Sequence, residues 1–329
     1  MLAVVRYLLR AQERPTPFGF FAGVVPAVFG AATAVVWGDD HVAVARTGAP
    51  WLADLIVHLE SCPDLLARLP LVANSTATVR GDRLIIPHQP SEQGTGTVEV
   101  SLHHTAPLQT VMSQARSPVC FVELAAVLQA QFPGVSAETV TGMLTELVAR
   151  RVLISSLHAP ATVPDALAYL IQQLHRVGAD QIEGIAELVA MLALIHDELQ
   201  KHNRAAASKG RALRRELADQ MTALISSPTG CGPLVVDLRL DATAVLSSPV
   251  ANEVERAAHL LARLSAYPSG TREWRTYLQR FWERYGIGSL VPLADVIADL
   301  GYPDGYPGTD EPLRRPTASR RDEILLELA

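Results

Sequence analysis

Two prolines near the amino terminus, Pro15 and Pro17, limit what the first segment of this 329-residue chain can form. Because a residue that precedes proline avoids the α region, a helix in this segment must end near Gln12 or Glu13. Each proline also fixes its own φ, so the loop that follows has few accessible shapes. The sequence therefore predicts a short helix followed by a stiff, extended turn.

Three arginines recur at a spacing of four residues in the same segment: Arg6, Arg10 and Arg14. This spacing places side chains on one face of a helix, where like charges repel one another. Guanidinium groups bind phosphate or carboxylate in a bidentate geometry, and Thr16 adds a hydroxyl on the stiff loop. The pattern is typical of an anion site, and a solvated helix face followed by a proline turn fits it equally well.

Two runs of sequence resemble one protein family. The first runs from Arg10 to Gly23 and reads R-x3-R-P-T-P-F-G-F-F-A-G, which is similar to the hallmark of the LanB-type lantibiotic dehydratases. The second runs from Phe281 to Pro303 and resembles the family in its F-x-E-R-Y-G, V-P-L and G-x-P elements. Asp237, in a predicted strand, is similar to an acidic position of the family. The resemblance therefore spans essentially the whole chain.

The resemblance implies a tRNA-dependent reaction. Members of the family use glutamyl-tRNA to glutamylate Ser and Thr of a ribosomally made precursor peptide, and a separate domain then eliminates glutamate. It implies that Arg6, Arg10 and Arg14 hold the 3′-end phosphates of the tRNA or the glutamyl carboxylate. Thr16 would assist at the ester or help to place the acceptor hydroxyl. Because the ester is already activated, positioning and oxyanion stabilisation are enough for catalysis.

Strand and helix patterns between residues 73 and 158 predict a winged-helix-like unit of three strands and three helices. The outer face of its third helix lacks the basic and amide residues that read DNA. The resemblance implies that such a unit recognises the leader of the precursor peptide as an added strand. A wing that only packs onto its neighbours fits the sequence equally well. The implied leader contacts are Thr97, Val98, Glu99, Val100, Ser101, Leu102, Leu144 and Val148.

The strongest basic cluster lies between two predicted helices in the later part of the chain. The net charge of −6 argues against a general nucleic-acid binder, but phosphate contacts need only a local patch. The cluster is interpreted either as a tRNA-binding surface or as a solvated helix face. Its members are Lys201, Arg204, Lys209, Arg211, Arg214 and Arg215.

The expected fold class is α+β with several subdomains. Residues 1–72 would hold the arginine helix and a hairpin, 73–158 the winged-helix-like unit, and 159–329 a mostly helical remainder. The hairpin is predicted to turn at Gly38-Asp39-Asp40, between two β-rich runs. The second strand of the winged unit is expected to end at Pro87, and a long helix is expected from Ala179 to about Gln200.

Motifs for several other chemistries are absent from the sequence. It contains no P-loop, no G-x-G-x-x-G, no H-E-x-x-H and no G-x-S-x-G. The three cysteines form no zinc spacing, which fits a reducing cytoplasm, and no apolar run is long enough for a membrane span. His196, Asp197 and His202 also lack zinc spacing and are expected on a solvated helix face. No metal is predicted, and glutamyl-tRNA is the only co-substrate expected.

The sequence departs from the resembled family in two respects. Family members carry more chain at both ends, so the chain is expected to be a fragment, a truncated product or one part of a split enzyme with a partner chain. Family members also usually carry an acidic residue shortly before the Trp51 helix, whereas here the stretch from Arg46 to Trp51 has no carboxylate and the next one is Asp54. The alternatives are a non-catalytic leader-binding scaffold and a peptide aminoacyl-tRNA ligase that adds another amino acid.

Overall fold

The computed structural model describes residues 2–13, 16, 19–90, 97–204, 210–225, 232–265 and 270–301. The chain forms two compact units. The first holds Met1–Ala73 and Ala106–Leu246, and the second holds Asn74–Thr105 and Ser247–Ala329. Helices and small sheets are mixed, in agreement with the predicted α+β class. None of the helices in the described ranges is both long and apolar enough to cross a membrane.

The elements are numbered here in chain order. The helices are α1 (Leu2–Glu13), α2 (Ala49–Glu60), α3 (Pro63–Leu66), α4 (Ala106–Gln114), α5 (Phe121–Gln131), α6 (Ala137–Ala149), α7 (Ala166–Arg176), α8 (Ala186–Arg204), α9 (Arg211–Leu224), α10 (Ser248–Arg263), α11 (Arg272–Tyr285) and α12 (Leu293–Leu300). The strands are β1 (Gly19–Val24), β2 (Ala27–Gly30), β3 (Ala34–Trp37), β4 (Val42–Thr47), β5 (Pro70–Ala73), β6 (Thr78–Arg80), β7 (Arg83–Pro90), β8 (Thr97–His103), β9 (Val119–Cys120), β10 (Leu153–Ser155), β11 (Leu234–Arg239) and β12 (Ala242–Ser247).

Strands from two distant parts of the sequence, residues 19–47 and 234–247, form the sheets that matter most for the site. One sheet has the order β1-β11-β4, with β11 parallel to β1 and antiparallel to β4. A second has the order β2-β12-β3, and β12 is antiparallel to β3. Because β11 and β12 are consecutive, residues 234–247 supply the central strand of both sheets.

The predicted hairpin at Gly38 is wrong, because β3 and β4 pair with β12 and β11 rather than with each other. Trp37 pairs with Ala242, and Val42 pairs with Arg239. Residues 38–41 therefore stand opposite only 240–241, so the segment forms a bulge and the chain does not reverse. A Gly-Asp-Asp sequence suits a turn or a bulge, and the strand that decides between them lies far away in the sequence.

The bulge is closed by the side chain and backbone of Asp241. The Gly38 amide donates to the Asp241 carbonyl at 2.8 Å, and the Asp40 amide donates to Asp241 Oδ2 at 3.1 Å. A Cβ placed on Gly38 would lie 1.9 Å from the same Oδ2 atom. The Asp241 carboxylate thus occupies the space that a side chain at position 38 would need.

The variant Gly38→Ala is expected to lower the free energy of unfolding by about 1 kcal/mol, since the displaced carboxylate loses its bond to the Asp40 amide. In an Asp241→Ala background the same change is expected to be neutral or to stabilise by about 0.5 kcal/mol, because alanine restricts the unfolded chain. Urea denaturation of the four variants measures both effects. An equal cost in the two backgrounds would contradict the role given to the carboxylate.

Apolar helix faces meet in the core of the first unit. The apolar stripes of α5 and α6 lie in it: Leu124 and Leu128 on α5, and Val140 and Leu147 on α6, are all buried. Ser136 caps α6 and accepts a hydrogen bond from the Thr139 amide at 3.2 Å. A three-stranded sheet of order β10-β5-β9 lies in the same unit.

Two predicted element boundaries are wrong. The single helix expected from Ala179 is instead a 3-10 turn over Ala179–Gln181 followed by α8, which begins at Ala186. Gly178 and Gly184 have φ values of 66° and 80°, in the left-handed region that interrupts a helix. The second strand of the predicted winged unit also continues through Pro87 to Pro90, with an irregular register between Ile86 and Gln89.

The second unit contains an antiparallel sheet of order β6-β7-β8 and helices α10–α12. Gly81 and Asp82 form the turn between β6 and β7, where Arg80 pairs with Arg83. The three helices that follow the sheet in sequence, α4–α6, belong to the first unit. The predicted order of three strands and three helices is therefore present, and its two halves fall in different units.

Residues of the second family-like run bond to one another in the second unit. Tyr285 donates through its hydroxyl to Asp299 Oδ2 at 2.9 Å, and Arg284 Nε donates to the same atom at 2.9 Å. These hydrogen bonds hold the pKa of Asp299 below its usual value. The Tyr277 hydroxyl also donates to the Gly301 carbonyl at 2.9 Å. The run thus joins α11 to α12.

Candidate functional site

The arginine helix has the length that the sequence predicts. It ends at Glu13, in agreement with the limit set by Pro15, and packs on β1 through parallel stacking of Tyr7 and Phe21, whose ring centroids are 5.0 Å apart. Arg6 is exposed and Arg10 is half-buried.

Of the other two predicted anion-site residues, Thr16 and Arg14, the structure describes only Thr16. Thr16 lies in an exposed bend between α1 and β1. Arg14 lies outside the described residues. Among the described residues, Arg6 and Arg10 on α1 and then Thr16 precede β1 in the chain.

The proline loop leads directly to β1, an outer strand of the β1-β11-β4 sheet. Gly19 begins β1 with a φ of 53°, a left-handed conformation that favours glycine, and it pairs in parallel with Asp237 of β11. The loop that follows the arginine helix therefore ends beside Asp237. Nothing in the local sequence of either segment indicates this pairing, because 218 positions separate them.

Asp237 forms an ion pair with Arg46 across the sheet. Arg46 Nε lies 2.9 Å from Asp237 Oδ2, and the two side chains are 54% and 41% exposed. Ala43 and Ala45 of β4 are buried on the face that α8 covers, so alternation places Arg46 on the opposite face. Sequence reasoning missed Arg46, and only a knowledge of the pairing between β4 and β11 would have found it.

The basic cluster divides into exposed and inward-facing residues. Lys201 and Arg204 at the end of α8, and Arg211 and Arg215 in the first turns of α9, are exposed. Arg214 is half-buried, and its guanidinium carbon lies 4.7 Å from the centroid of the Phe20 ring. Burial, together with the nearby charge of Arg211, lowers the pKa of Arg214.

Two further residues of this region are Lys209 and His202. Lys209 lies outside the described residues. His202, expected on a solvated face, is buried at 2% exposure. Its imidazole bonds Arg214 and Asn203, so the expectation is wrong for this residue.

The predicted leader contacts occur in two different settings. Residues 97–102 lie in β8, at one end of the sheet order β6-β7-β8. Leu144 and Val148 are buried, at 0% and 3% exposure, on the inner stripe of α6. They are therefore unavailable to a peptide on the outer side of that helix, and this part of the prediction is corrected: Thr141 and Thr145 are exposed there instead.

Within the ranges that the structure describes, no group of three or more His, Cys, Asp or Glu side chains is arranged to hold a metal ion. Cys62 and Cys120 are free thiols. The chemistry that the described site offers is that of guanidinium groups, a hydroxyl and a paired carboxylate. These groups suit anionic substrates and acyl transfer.

The chain as a whole matches a known protein family. A family model described as "Lantibiotic dehydratase, N terminus" matches residues 1–329, and the chain belongs to this family. The predicted resemblance is thereby confirmed.

Individual relatives agree with the family. The chain is 25% identical over 310 residues to the subtilin biosynthesis protein SpaB of Bacillus subtilis, covering 92% of this chain and 29% of SpaB. The epidermin biosynthesis protein EpiB of Staphylococcus epidermidis is 24% identical over 313 residues, covering 94% of this chain and 30% of EpiB. The chain therefore spans less than a third of the length of these curated relatives.

Solved structures of the family share the fold. The crystal structure of the tRNA-dependent lantibiotic dehydratase MibB from Microbispora sp. 107891 is 33% identical with a TM-score of 0.72, covering 99% of this chain and 32% of MibB. The glutamylation domain of TbtB, from thiomuracin biosynthesis, is 16% identical with a TM-score of 0.55, covering 99% of this chain and 41% of TbtB.

Proposed function

We propose that this chain carries part of an aminoacyl-tRNA-dependent transferase that attaches glutamate to Ser and Thr of a ribosomally synthesised precursor peptide. This step is the first half of dehydration in the biosynthesis of lanthipeptides and thiopeptides. The observation that carries the proposal is that Asp237 pairs with Gly19, the first residue of the strand that follows the arginine helix and Thr16 in the chain. The tRNA dependence of MibB supports it.

The proposed reaction is a transesterification. The Ser or Thr oxygen of the peptide attacks the glutamyl carbonyl of the tRNA ester, the bond from that carbonyl to the ribose oxygen breaks, and the hydroxyl proton ends on the ribose oxygen. Arg6, Arg10 and Arg14 would bind the terminal phosphates or the glutamyl carboxylate, since bidentate guanidinium bonds suit both. Thr16 would help to place the acceptor hydroxyl.

Asp237 lies beside Gly19, where β1 begins after the arginine helix and Thr16. Its pairing with Arg46 orients the carboxylate, so it would serve as an acceptor for a substrate hydroxyl or amine. The pair itself is exposed and adds at most about 1 kcal/mol to stability. Its proposed role is therefore in placing substrate groups.

Leader binding is proposed for β8 of the second unit. An extended peptide would pair with β8, which has no strand on its other side among the described residues of its sheet. Main-chain hydrogen bonds would supply most of the affinity, so Thr97–Leu102 need few special side chains.

The tRNA backbone is proposed to contact the exposed basic residues around the connection between α8 and α9. Lys201, Arg204, Arg211 and Arg215 form a local positive surface on an acidic chain, and Lys209 would add to it. No other cofactor is proposed, and the use of charged tRNA suggests action in the cytoplasm. Elimination of glutamate is not assigned to this chain.

Two alternative functions would use parts of the same proposed sites. A non-catalytic subunit that binds the leader for a partner chain would need only the peptide site. A ligase that adds a different amino acid would need the same arginine helix and tRNA surface. Both readings are kept as outcomes of the test.

The test is transfer of labelled glutamate. The full chain is incubated with labelled glutamyl-tRNA and a precursor peptide, alone and with any partner chain, and a precursor with its Ser and Thr residues replaced by Ala is the control. The expected result is label on the unmodified precursor only. Leader binding without transfer would support the scaffold, and transfer from a different aminoacyl-tRNA would support the ligase.

A further inference from the structure

A polar network lies beneath the candidate site, on the face of the sheet that α8 covers. Arg214 Nη1 lies 2.8 Å from His202 Nε2, and His202 Nδ1 lies 3.0 Å from Asn203 Oδ1. The Arg214 guanidinium also stacks over Phe20, the second residue of β1. The network therefore begins at the strand that directly follows the proline loop.

The donors and acceptors of this network have one consistent arrangement. A guanidinium can only donate, so His202 Nε2 must accept the bond from Arg214. The imidazole proton is therefore on Nδ1, which donates to Asn203 Oδ1. A neutral His202 with this tautomer satisfies both of its ring nitrogens while the side chain is buried.

Asn203 connects the network to the strand that bears Arg46. Its Oδ1 accepts from the Ala45 amide at 2.7 Å, and its Nδ2 donates to the Ala45 carbonyl at 2.9 Å. Asn203 thus forms hydrogen bonds with both the amide and the carbonyl of Ala45, on the outer side of β4. The chain of contacts from Phe20 to Ala45 fixes the two outer strands of the β1-β11-β4 sheet relative to α8 and α9.

The backbone of Gly210 lies against the hydrogen bond between His202 and Arg214. A Cβ at this position would lie 2.3 Å from His202 Nε2 and 2.7 Å from Arg214 Nη1, the two atoms that bond to each other. Only glycine leaves room for that bond where the chain enters α9. By contrast, Arg211 and Arg215, the neighbours of Arg214 on the same helix, are exposed.

We propose that Arg214 is a positioning residue of the transferase site: it fixes β1, and with it the Thr16 loop, and does not bind tRNA phosphate. The inference rests on the proposed function for the identity of the reaction. Its geometric part, the fixing of β1 by Arg214, is independent of that function. Phosphate binding in the cluster belongs to its exposed members.

The experiment compares Arg214→Ala with Arg211→Ala in the full chain. Hydrogen–deuterium exchange of residues 19–24 is expected to be about tenfold faster in Arg214→Ala and unchanged in Arg211→Ala, while exchange in α5 is unchanged in both. The Kd for an unfractionated bacterial tRNA preparation at fixed salt is expected to weaken about threefold in Arg211→Ala and to stay within about twofold in Arg214→Ala.

A lysine variant separates the two roles and serves if Arg214→Ala does not fold. Arg214→Lys keeps the charge but loses the planar fork, so β1 exchange is expected to remain fast. A phosphate contact would instead be largely restored by lysine. In the transfer assay, kcat is expected to fall about tenfold in both Arg214 variants, with KM for glutamyl-tRNA unchanged.

Two results would overturn the inference: unchanged β1 exchange in both Arg214 variants, or a loss of tRNA affinity in Arg214→Ala that matches Arg211→Ala and is restored by lysine. If the wild-type chain transfers no glutamate, the proposed function fails, yet the exchange experiment still decides whether Arg214 fixes β1. The two failures are therefore distinguishable.

Discussion

Replacement of Arg10 by alanine is expected to lower kcat for glutamate transfer by about 10²- to 10³-fold, the effect of removing one preorganised donor from an acyl-transfer site. Arg10 is half-buried in α1, beside the helix position that stacks on β1. Partial burial strengthens a charge-assisted bond to phosphate or carboxylate, since water competes less well. Exposed Arg6 is expected to lose only about tenfold when replaced in the same way.

The measurement is single-turnover transfer of labelled glutamate at saturating tRNA. Arg10→Lys retains the charge without the bidentate fork and is expected to fall between wild type and alanine. The matched control is Arg256→Ala, which removes an exposed arginine paired with Glu253 on α10. Alanine favours helix, so α1 should persist in far-UV circular dichroism. Wild-type rates in Arg10→Ala with normal helix content would remove Arg10 from the site.

Local signals in the sequence predicted the elements of the site well. Pro15 placed the end of α1 correctly, because the restriction on the residue before proline depends on neighbouring atoms alone. The four-residue spacing likewise placed Arg6 and Arg10 on one helix. The strand that holds Asp237 was also predicted, since alternating apolar residues define a strand whatever its partners are.

Long-range pairing could not be predicted in the same way. The bulge at Gly38 and the ion pair of Arg46 with Asp237 both depend on β11 and β12, which lie about 200 positions further along the chain. A one-residue change in register would move Arg46 to the opposite face of the sheet. Residue type and spacing carry no information about that register.

The direction of individual side chains was the other limit. Arg214 belongs to a basic run, and a run of cations predicts a solvated or phosphate-binding face, yet this residue turns toward Phe20 and His202. Leu144 was assigned to the leader although its apolar stripe predicts burial, and burial prevails. In both cases the position of the residue on its helix determines whether the side chain points inward, and its charge or its likeness to the family does not.

Trp51→Ala is expected to lower the free energy of unfolding of the first unit by about 3–5 kcal/mol, the usual cost of removing a large buried aromatic side chain. Trp51 is 1% exposed near the start of α2, and its indole Nε1 donates to the Met221 carbonyl of α9 at 2.9 Å. The substitution would leave a cavity where these two helices meet. Each kcal/mol lowers Tm by roughly 2–4 °C in a domain of this size.

Two matched variants separate packing from hydrogen bonding. Trp51→Phe keeps most of the apolar volume but lacks the donor, and the Met221 carbonyl still accepts from the Ile225 amide, so the cost is expected to be about 1–2 kcal/mol. Trp37, 64% exposed on β3, provides the control: Trp37→Ala is expected to change stability by less than about 0.5 kcal/mol. Urea denaturation followed by far-UV circular dichroism gives all three values without relying on tryptophan fluorescence. If Trp37→Ala cost as much as Trp51→Ala, the core of this unit would extend over β3, and the packing between α2 and α9 would not be its centre.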